Sequence, residues 1–239
     1  VLDPGCGSGG FLVGAYQRLN ELKESPNHQE LLDQLKGFDI NRFPAHLSAI
    51  NLALQDLEDE TRNVGVEVED FFLVNPTQVR MAFESASVGG EKDEGKTNII
   101  DYFDAVVGNP PYIRQEQIAD KGRCRRHLNN VRADLGSRSD IYAYFFTHAT
   151  SFLDEEGGRL GFITSDRWLS VKYGEKLQDF FLKKYKIKAI VNFARQQFEI
   201  PLISTCVVIL ERCVDADERD NNVVKMLQLK KASEVEDIV

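Results

Sequence analysis

Two clusters in this chain have the residue types and spacing to do chemistry. Asn109-Pro110-Pro111-Tyr112 follows the apolar run Phe103 to Val107, and Asp3-Pro4-Gly5-Cys6-Gly7-Ser8-Gly9 stands at the start of the sequence. In the first cluster, the Asn109 side-chain carbonyl and the Pro110 backbone carbonyl are two acceptors, which suits the two protons of an exocyclic amine. The two prolines stiffen the backbone that carries them, and the Tyr112 ring offers a face for stacking. This is the equipment needed to grip a flat ring bearing an amino nitrogen. A simple turn with a packed tyrosine rarely needs an asparagine in front of its prolines.

In the second cluster, small residues let the backbone turn sharply and approach a ligand, while amides at a helix start can hold a carboxylate. Gly5, Gly7 and Gly10 also satisfy Gly-x-Gly-x-x-Gly, so by itself the turn does not decide which cofactor it serves. Its context says more. Asp39, followed by Ile40, closes a second strand and is placed to accept from ribose hydroxyls. Asp70-Phe71 closes a third and can meet an adenine amino group and ring face. All three features fall at carboxyl ends of adjacent strands, where open α/β sheets bind ligands.

The elements that must position these residues follow from apolar periodicity. Phe11, Leu12, Ala15, Tyr16, Leu19 and Leu22 recur with helical spacing from the glycines onward. Lys36 to Ile40 reads as a short strand, Ala45 to Leu57 as a helix, and Val64 to Val68 as a strand ending at Asp70-Phe71-Phe72. Alternation of this kind predicts a parallel sheet covered on both faces. The polar, glycine-rich stretch Glu84 to Asn98 is expected to be a flexible insertion. Within it, Gly90 to Thr97 satisfies the phosphate-loop pattern Gly-x-x-x-x-Gly-Lys-Thr. A working phosphate loop follows a buried strand and opens a helix, whereas this one follows polar residues and leads into a strand. Next come the strand Phe103 to Val107, an aromatic-rich helix from Asp140 to Leu153, a strand Arg159 to Thr164, a helix Tyr173 to Lys184, and strands Ile187 to Phe193 and Thr205 to Leu210.

With 239 residues and 42% hydrophobic content the chain has material for one α/β core. Residues 1–222 read as a catalytic domain entered at the tail of its first strand, Val1-Leu2, and 223–239 as the start of a following region. On this reading the chain is a fragment of a longer polypeptide. No segment reaches the roughly 18 apolar residues of a membrane span, so a membrane is not an expected partner and a cytoplasmic location is. Cys6, Cys124, Cys206 and Cys213 show no metal-ligand spacing, so no metal is expected. The net charge of -9 argues against strong nucleic-acid binding by the whole surface. One basic stretch follows the elbow, carrying Arg114, Lys121, Arg123, Arg125, Arg126, Arg132 and Arg138 against Glu116, Asp120, Asp134 and Asp140; it reads equally as a DNA-facing strip or as a solvated surface.

Taken together, the glycine turn and the elbow resemble the cofactor and catalytic motifs of S-adenosylmethionine-dependent amino-methyltransferases, most closely the N6-adenine DNA methylases, over nearly the whole chain. Asn109 to Glu116, Asp140 to Phe146 and Gly158 to Leu169 are similar to segments of the large methylases of restriction-modification and phage-defence systems. The resemblance implies a Rossmann-like methyltransferase fold, a mostly parallel twisted α/β sheet with helices on both faces. It implies S-adenosylmethionine as cofactor, held by Asp3, Gly5, Cys6, Gly7, Gly9, Asp39, Ile40, Asp70 and Phe71. Asn109, Pro110 and Tyr112 take the catalytic positions: by accepting both amine protons the elbow draws the lone pair out of the ring and aims it at the sulfonium methyl. Pro111 and Tyr112 bind the extruded base, and Phe198 lies against its other face, although Phe198 also reads as a plain core residue. Arg123, Arg125 and Arg126 are the candidates for the DNA backbone.

The implied partner is double-stranded DNA with a flipped adenine, with a specificity or nuclease unit as a separate subunit or a fused domain. No Pro-Cys dipeptide is present, which removes the nucleophile of carbon-5 cytosine methylases. The cofactor motif precedes the elbow, and residues 72–101 are too few and too polar for a target-recognition domain, which matches the order called gamma. Two alternatives stay open. RNA adenine and protein glutamine methyltransferases share the elbow, and an NAD-dependent oxidoreductase would use Gly5, Gly7, Gly10 and Asp39.

Overall fold

The computed structural model describes residues 1–59, 61–77, 79, 102–193 and 204–229. The polar stretch 84–98, its phosphate-loop-like motif and Phe198 lie outside the described residues.

The strands are β1 (Leu2–Asp3), β2 (Lys36–Asp39), β3 (Val66–Val68), β4 (Ala105–Gly108), β5 (Arg159–Ser165), β6 (Tyr185–Phe193), β7 (Thr205–Arg212) and β8 (Lys225–Leu229). Between them run helices α1 (Gly10–Leu22), α2 (His28–Leu32), α3 (Arg42–Ala53), α4 (Lys121–Arg125), α5 (Ile141–Ala149), α6 (Glu175–Lys184) and α7 (Ala216–Asp220). The strands form one sheet of order β3-β2-β1-β4-β5-β7-β6-β8. Among the described strands only β7 runs against its neighbours, pairing antiparallel with both β5 and β6, so the expected mostly parallel α/β sheet is what the chain builds. β8 lies inside the segment 223–239 expected to lead onward, and it continues the sheet by parallel pairing with β6, Ala189 opposite Lys225.

Side-chain alternation along the strands divides the core between the two faces. Leu2, Phe38, Val106, Leu160 and Phe162 join the larger apolar cluster, which surrounds α5. Every residue of α5 is buried, which its aromatic content makes favourable. Val1 and Val66 pack instead with Leu12 and Tyr16 of α1, Leu31 and Leu32 of α2 and Leu52 of α3.

Two local differences from the periodicity concern the site. The strand before the elbow begins at Ala105, because Phe103 leaves the ladder for a single bridge to Leu153. In the basic stretch the structure forms a one-turn helix, α4, whose start is capped by the Asp120 side chain accepting from the Arg123 amide at 2.9 Å.

The sheet order positions the site. The chain steps outward from β1 to β2 and β3, then returns to the other side of β1 for β4, so the crossover direction reverses between β1 and β4. Ligands of open α/β sheets bind at such a switch point, beyond the carboxyl ends of the strands. The glycine turn leaves β1 and the elbow leaves β4, which places these two distant segments side by side. No described helix is long and apolar enough to cross a membrane.

Candidate active site

The glycine turn is held by backbone bonds. The Cys6 amide donates to the Phe38 carbonyl at 2.8 Å, and the Gly9 amide to the Cys6 carbonyl at 2.8 Å. Gly9 sits at φ 91° as the cap of α1, and a Cβ there would lie 2.5 Å from Ser48 Oγ of α3. Both conditions require glycine.

Asp39 fastens the turn to β2. One of its oxygens accepts from the Gly7 amide at 3.0 Å and the other from the Asn41 amide at 2.8 Å. Both bonds come from backbone, so the carboxylate plane is fixed, while its remaining lone pairs are free for further donors. Asp70 caps the short turn Phe71–Leu73, accepting from the Phe72 amide at 3.1 Å, and its other oxygen lies 2.5 Å from Arg123 Nη1.

An open cleft of about 360 Å³ runs across these strand ends, a size within the usual range for small-molecule sites. One wall is Pro4 and Gly5; Asp39, Ile40 and Asn41 follow, then Glu69 to Phe72; the elbow contributes Asn109 and Pro111. Ile113, Arg123 and two α5 residues, Ile141 and Phe145, complete it. Phe145 stacks on Phe71 with ring centroids 5.6 Å apart. Three acids line the cleft, and Asp39 and Asp70, with apolar faces between and beyond them, suit a nucleoside: hydroxyls or an amine at the acids, the flat base against the apolar walls.

The elbow faces outward. Asn109 is exposed while Pro110 is buried behind it, and the Tyr112 hydroxyl donates to Asn109 Oδ1 at 2.7 Å. Burial pushes the Tyr112 phenol up to about 12, which keeps that donor protonated. Just before the elbow, Gly108 lies against β1, where a Cβ would come within 2.7 Å of Asp3 Oδ1. Asp3 is buried, and burial pushes its carboxyl up to about 7, against the pull of the Gly5 amide that donates to it at 3.1 Å.

The structure thus gathers Gly5, Asp39, Ile40, Asp70, Phe71, Asn109 and Pro111 around one cleft. The Cys6 thiol is buried in the apolar cluster that holds Leu12, and burial pushes it up to about 12, while its backbone makes the bonds to Phe38 and Gly9.

The cations of the basic stretch divide into two groups. Arg123 turns inward to Asp70, and Arg125 donates to the Leu135 carbonyl at 3.1 Å. A carboxylate and a carbonyl within reach hold these two guanidiniums against the fold, whereas Arg126, Arg132 and Arg138 are exposed.

Two histidines were invisible to sequence reasoning. His148 of α5 is fully buried, and burial together with its neighbour His127 lowers it to about 3. Its Nε2 faces the Phe71 and Val74 carbonyls at 3.0 and 3.2 Å, so this nitrogen donates. His127 stacks on it at 3.8 Å and donates to the Phe72 carbonyl at 2.7 Å. Both hold the turn that presents Asp70 and Phe71.

Residues 33–198 match the model of the Eco57I restriction-modification methylase family. Over 197 residues the chain is 32% identical to the type II methyltransferase M.BstVI of Geobacillus stearothermophilus, covering 80% of this chain and 33% of the relative. It is 35% identical over 211 residues to the type II methyltransferase M.XhoI of Xanthomonas vasicola, covering 80% of this chain and 37% of the relative. The chain therefore spans about a third of the length of these curated relatives. The crystal structure of the type I restriction-modification system methyltransferase subunit from Streptococcus thermophilus superimposes with a TM-score of 0.65 at 17% identity, over 99% of this chain and 46% of that one. That likeness shows the fold, which is the class I S-adenosylmethionine-dependent methyltransferase fold.

Proposed function

The chain belongs to the Eco57I restriction-modification methylase family, and on that premise we propose that it is the catalytic part of an enzyme that methylates the N6 amino group of a flipped adenine in double-stranded DNA, with S-adenosylmethionine as donor. The observation that carries the reading is that Asn109 and Pro111 of the elbow and the acids at the ends of β2 and β3 open into the same cleft. An amine gripped at the elbow is then next to whatever the cleft holds.

In this reading Asp39 takes the ribose hydroxyls, Asp70 the adenine amino group and Ile40 and Phe71 the base of the cofactor, while the turn from Asp3 to Gly9 shapes the floor. Bound S-adenosylmethionine supplies an electrophilic methyl group. The rest is the protein's work. Asn109 Oδ1 and the Pro110 carbonyl accept the two amine protons, which frees the nitrogen lone pair for attack. The Tyr112 hydroxyl, bonded to Asn109 Oδ1 at 2.7 Å, gives way as the amine arrives, leaving the ring to stack on the base. Pro111 and Phe198 are proposed to border that base. Asn109 makes its strongest bonds as the amine rehybridises, so it lowers the barrier rather than tightening the ground state.

With a net charge of -9, attraction to phosphates has to be local. Arg126, Arg132 and Arg138 are, like Arg114, exposed cations of the stretch after the elbow and are assigned this contact in preference to Arg123 and Arg125. Site recognition is assigned to a specificity unit, fused or separate, in the gamma order, within a restriction-modification or related defence system of the cytoplasm. Tritiated methyl transfer to unmodified DNA, followed by nucleoside analysis, tests the reading. Label in N6-methyladenine is the expected result; label in cytosine, RNA or protein rejects it.

A further inference from the structure

We propose that Arg123 belongs to the cofactor site, as the positioning residue that sets the Asp70 carboxylate for an adenine amino group. The inference rests on the cleft being an S-adenosylmethionine site. Asp70 stands at the tip of a turn after the short strand β3, tethered through one oxygen to the Phe72 amide at 3.1 Å. A carboxylate with a single tether still pivots. Arg123 Nη1 lies 2.5 Å from the second oxygen, which fixes the plane.

The surroundings make this pair different from a surface ion pair, whose attraction is mostly screened. The Asp70 side chain is 11% exposed and that of Arg123 32%, and both residues line the cleft. Arg123 is itself held from behind: its amide caps onto Asp120 at 2.9 Å, and the next residue, Cys124, is buried in the main core. His127, one turn further on, donates to the Phe72 carbonyl at 2.7 Å. The segment that follows the elbow thus grips the adenine end of the cleft at two points. Arg123 Nε is shut off from solvent and Nη1 lies on the Asp70 carboxylate, so these two nitrogens are turned away from the surface where a DNA phosphate would sit. An adenine amino group requires an acceptor at a defined angle, and a carbonyl at the same ring position repels that acceptor. Holding the carboxylate still is therefore what separates a 6-amino purine from a 6-oxo purine.

The test is calorimetric binding of S-adenosylhomocysteine and its 6-oxo counterpart, S-inosylhomocysteine, to the parent chain and to Arg123→Ala. Arg123→Ala is expected to weaken S-adenosylhomocysteine about tenfold and to bring the 6-amino to 6-oxo affinity ratio close to one, with Arg123→Lys recovering part of the ratio. A merely structural role would lower both affinities and leave the ratio alone, which overturns the inference. So does an unchanged affinity combined with a flatter salt dependence of DNA binding, the signature of a phosphate contact. If the alanine variant does not fold, Arg123→Gln, which keeps most of the stem and removes the charge, is read the same way. A parent chain that binds neither nucleoside rejects the cofactor reading and the inference with it, and this failure is recognised because parent and variant then behave alike.

Discussion

The acid at the end of β2 and the amide after β4 serve the same cleft, yet they are fastened in opposite ways. Asp39 has each oxygen bonded to a backbone amide, from Gly7 at 3.0 Å and Asn41 at 2.8 Å. Asn109 is exposed, and its side-chain oxygen is capped by the hydroxyl of Tyr112 from the same tetrapeptide. Backbone cannot move away without unfolding the turn, whereas a tyrosine hydroxyl leaves by rotating a side chain. The region proposed to bind the cofactor is therefore built in advance, and the region proposed to carry the chemistry keeps its partner exchangeable. Pre-built contacts lower the cost of binding. Exchangeable ones can be strongest in the transition state, where they speed the reaction.

The largest effect should come from the exchangeable side. Asn109→Ala is expected to lower the methyl-transfer rate constant by about 10²- to 10³-fold, the range for removing one group that stabilises a transition state, with S-adenosylmethionine affinity changed less than about twofold. Single-turnover transfer and calorimetry on the same preparation measure both. A variant that keeps its rate breaks the comparison.

On the pre-built side, Asp39→Ala should weaken S-adenosylmethionine by about tenfold or more, since a carboxylate acceptor is lost, and should also lower the melting temperature because Gly7 and Asn41 lose their partner. If affinity holds while the melting temperature drops, Asp39 is a brace for the turn and no ligand contact.

Asp3 links the two regions through its contact with Gly108, and its effect should appear in the pH dependence of stability. Its folded value, raised from 3.8 to about 7, lies above its unfolded value, so the stability it contributes is complete below the lower figure and is lost as pH rises through the upper one. The parent should thus lose melting temperature between these two values more steeply than Asp3→Asn, which cannot ionise. Identical profiles would show that the buried carboxyl does not take up a proton on folding.

The smallest effect is expected from Tyr112→Phe. Stacking needs the ring, and removing the hydroxyl uncaps Asn109, so the rate constant should change by no more than about threefold, toward faster transfer. A tenfold loss would mean that the hydroxyl positions Asn109, which would make the elbow as pre-built as the turn.

Much of this site was legible in the sequence because it is made of local motifs. A glycine run between a strand and a helix, an acid at a strand end and Asn-Pro-Pro-Tyr after an apolar run each announce themselves within about ten residues, the span over which periodicity and turn chemistry act. Their order along the chain also announced a parallel α/β sheet, and with it the shared edge on which Gly5, Asp39, Asp70 and Asn109 meet.

What tertiary structure alone decided is which side chains close the site from far away in sequence. Arg123 looked like one more cation in a basic stretch, and whether it faced a phosphate or Asp70 depended on how the segment after β4 folds back over β3. His127 and His148 carry no motif, because their partners are the backbone carbonyls of residues 71, 72 and 74, and a carbonyl is common to every residue. The approach of Asp3 to Gly108 exists only because β4 returns beside β1. Cys6 sits inside a readable motif, yet that its thiol is buried beside Leu12 and against Gly37 of β2 depends on how α1 packs on the sheet. Residue type and short spacing determine the chemistry a segment can offer; the crossing of distant segments determines which of those groups share a cavity, and no local period records that crossing.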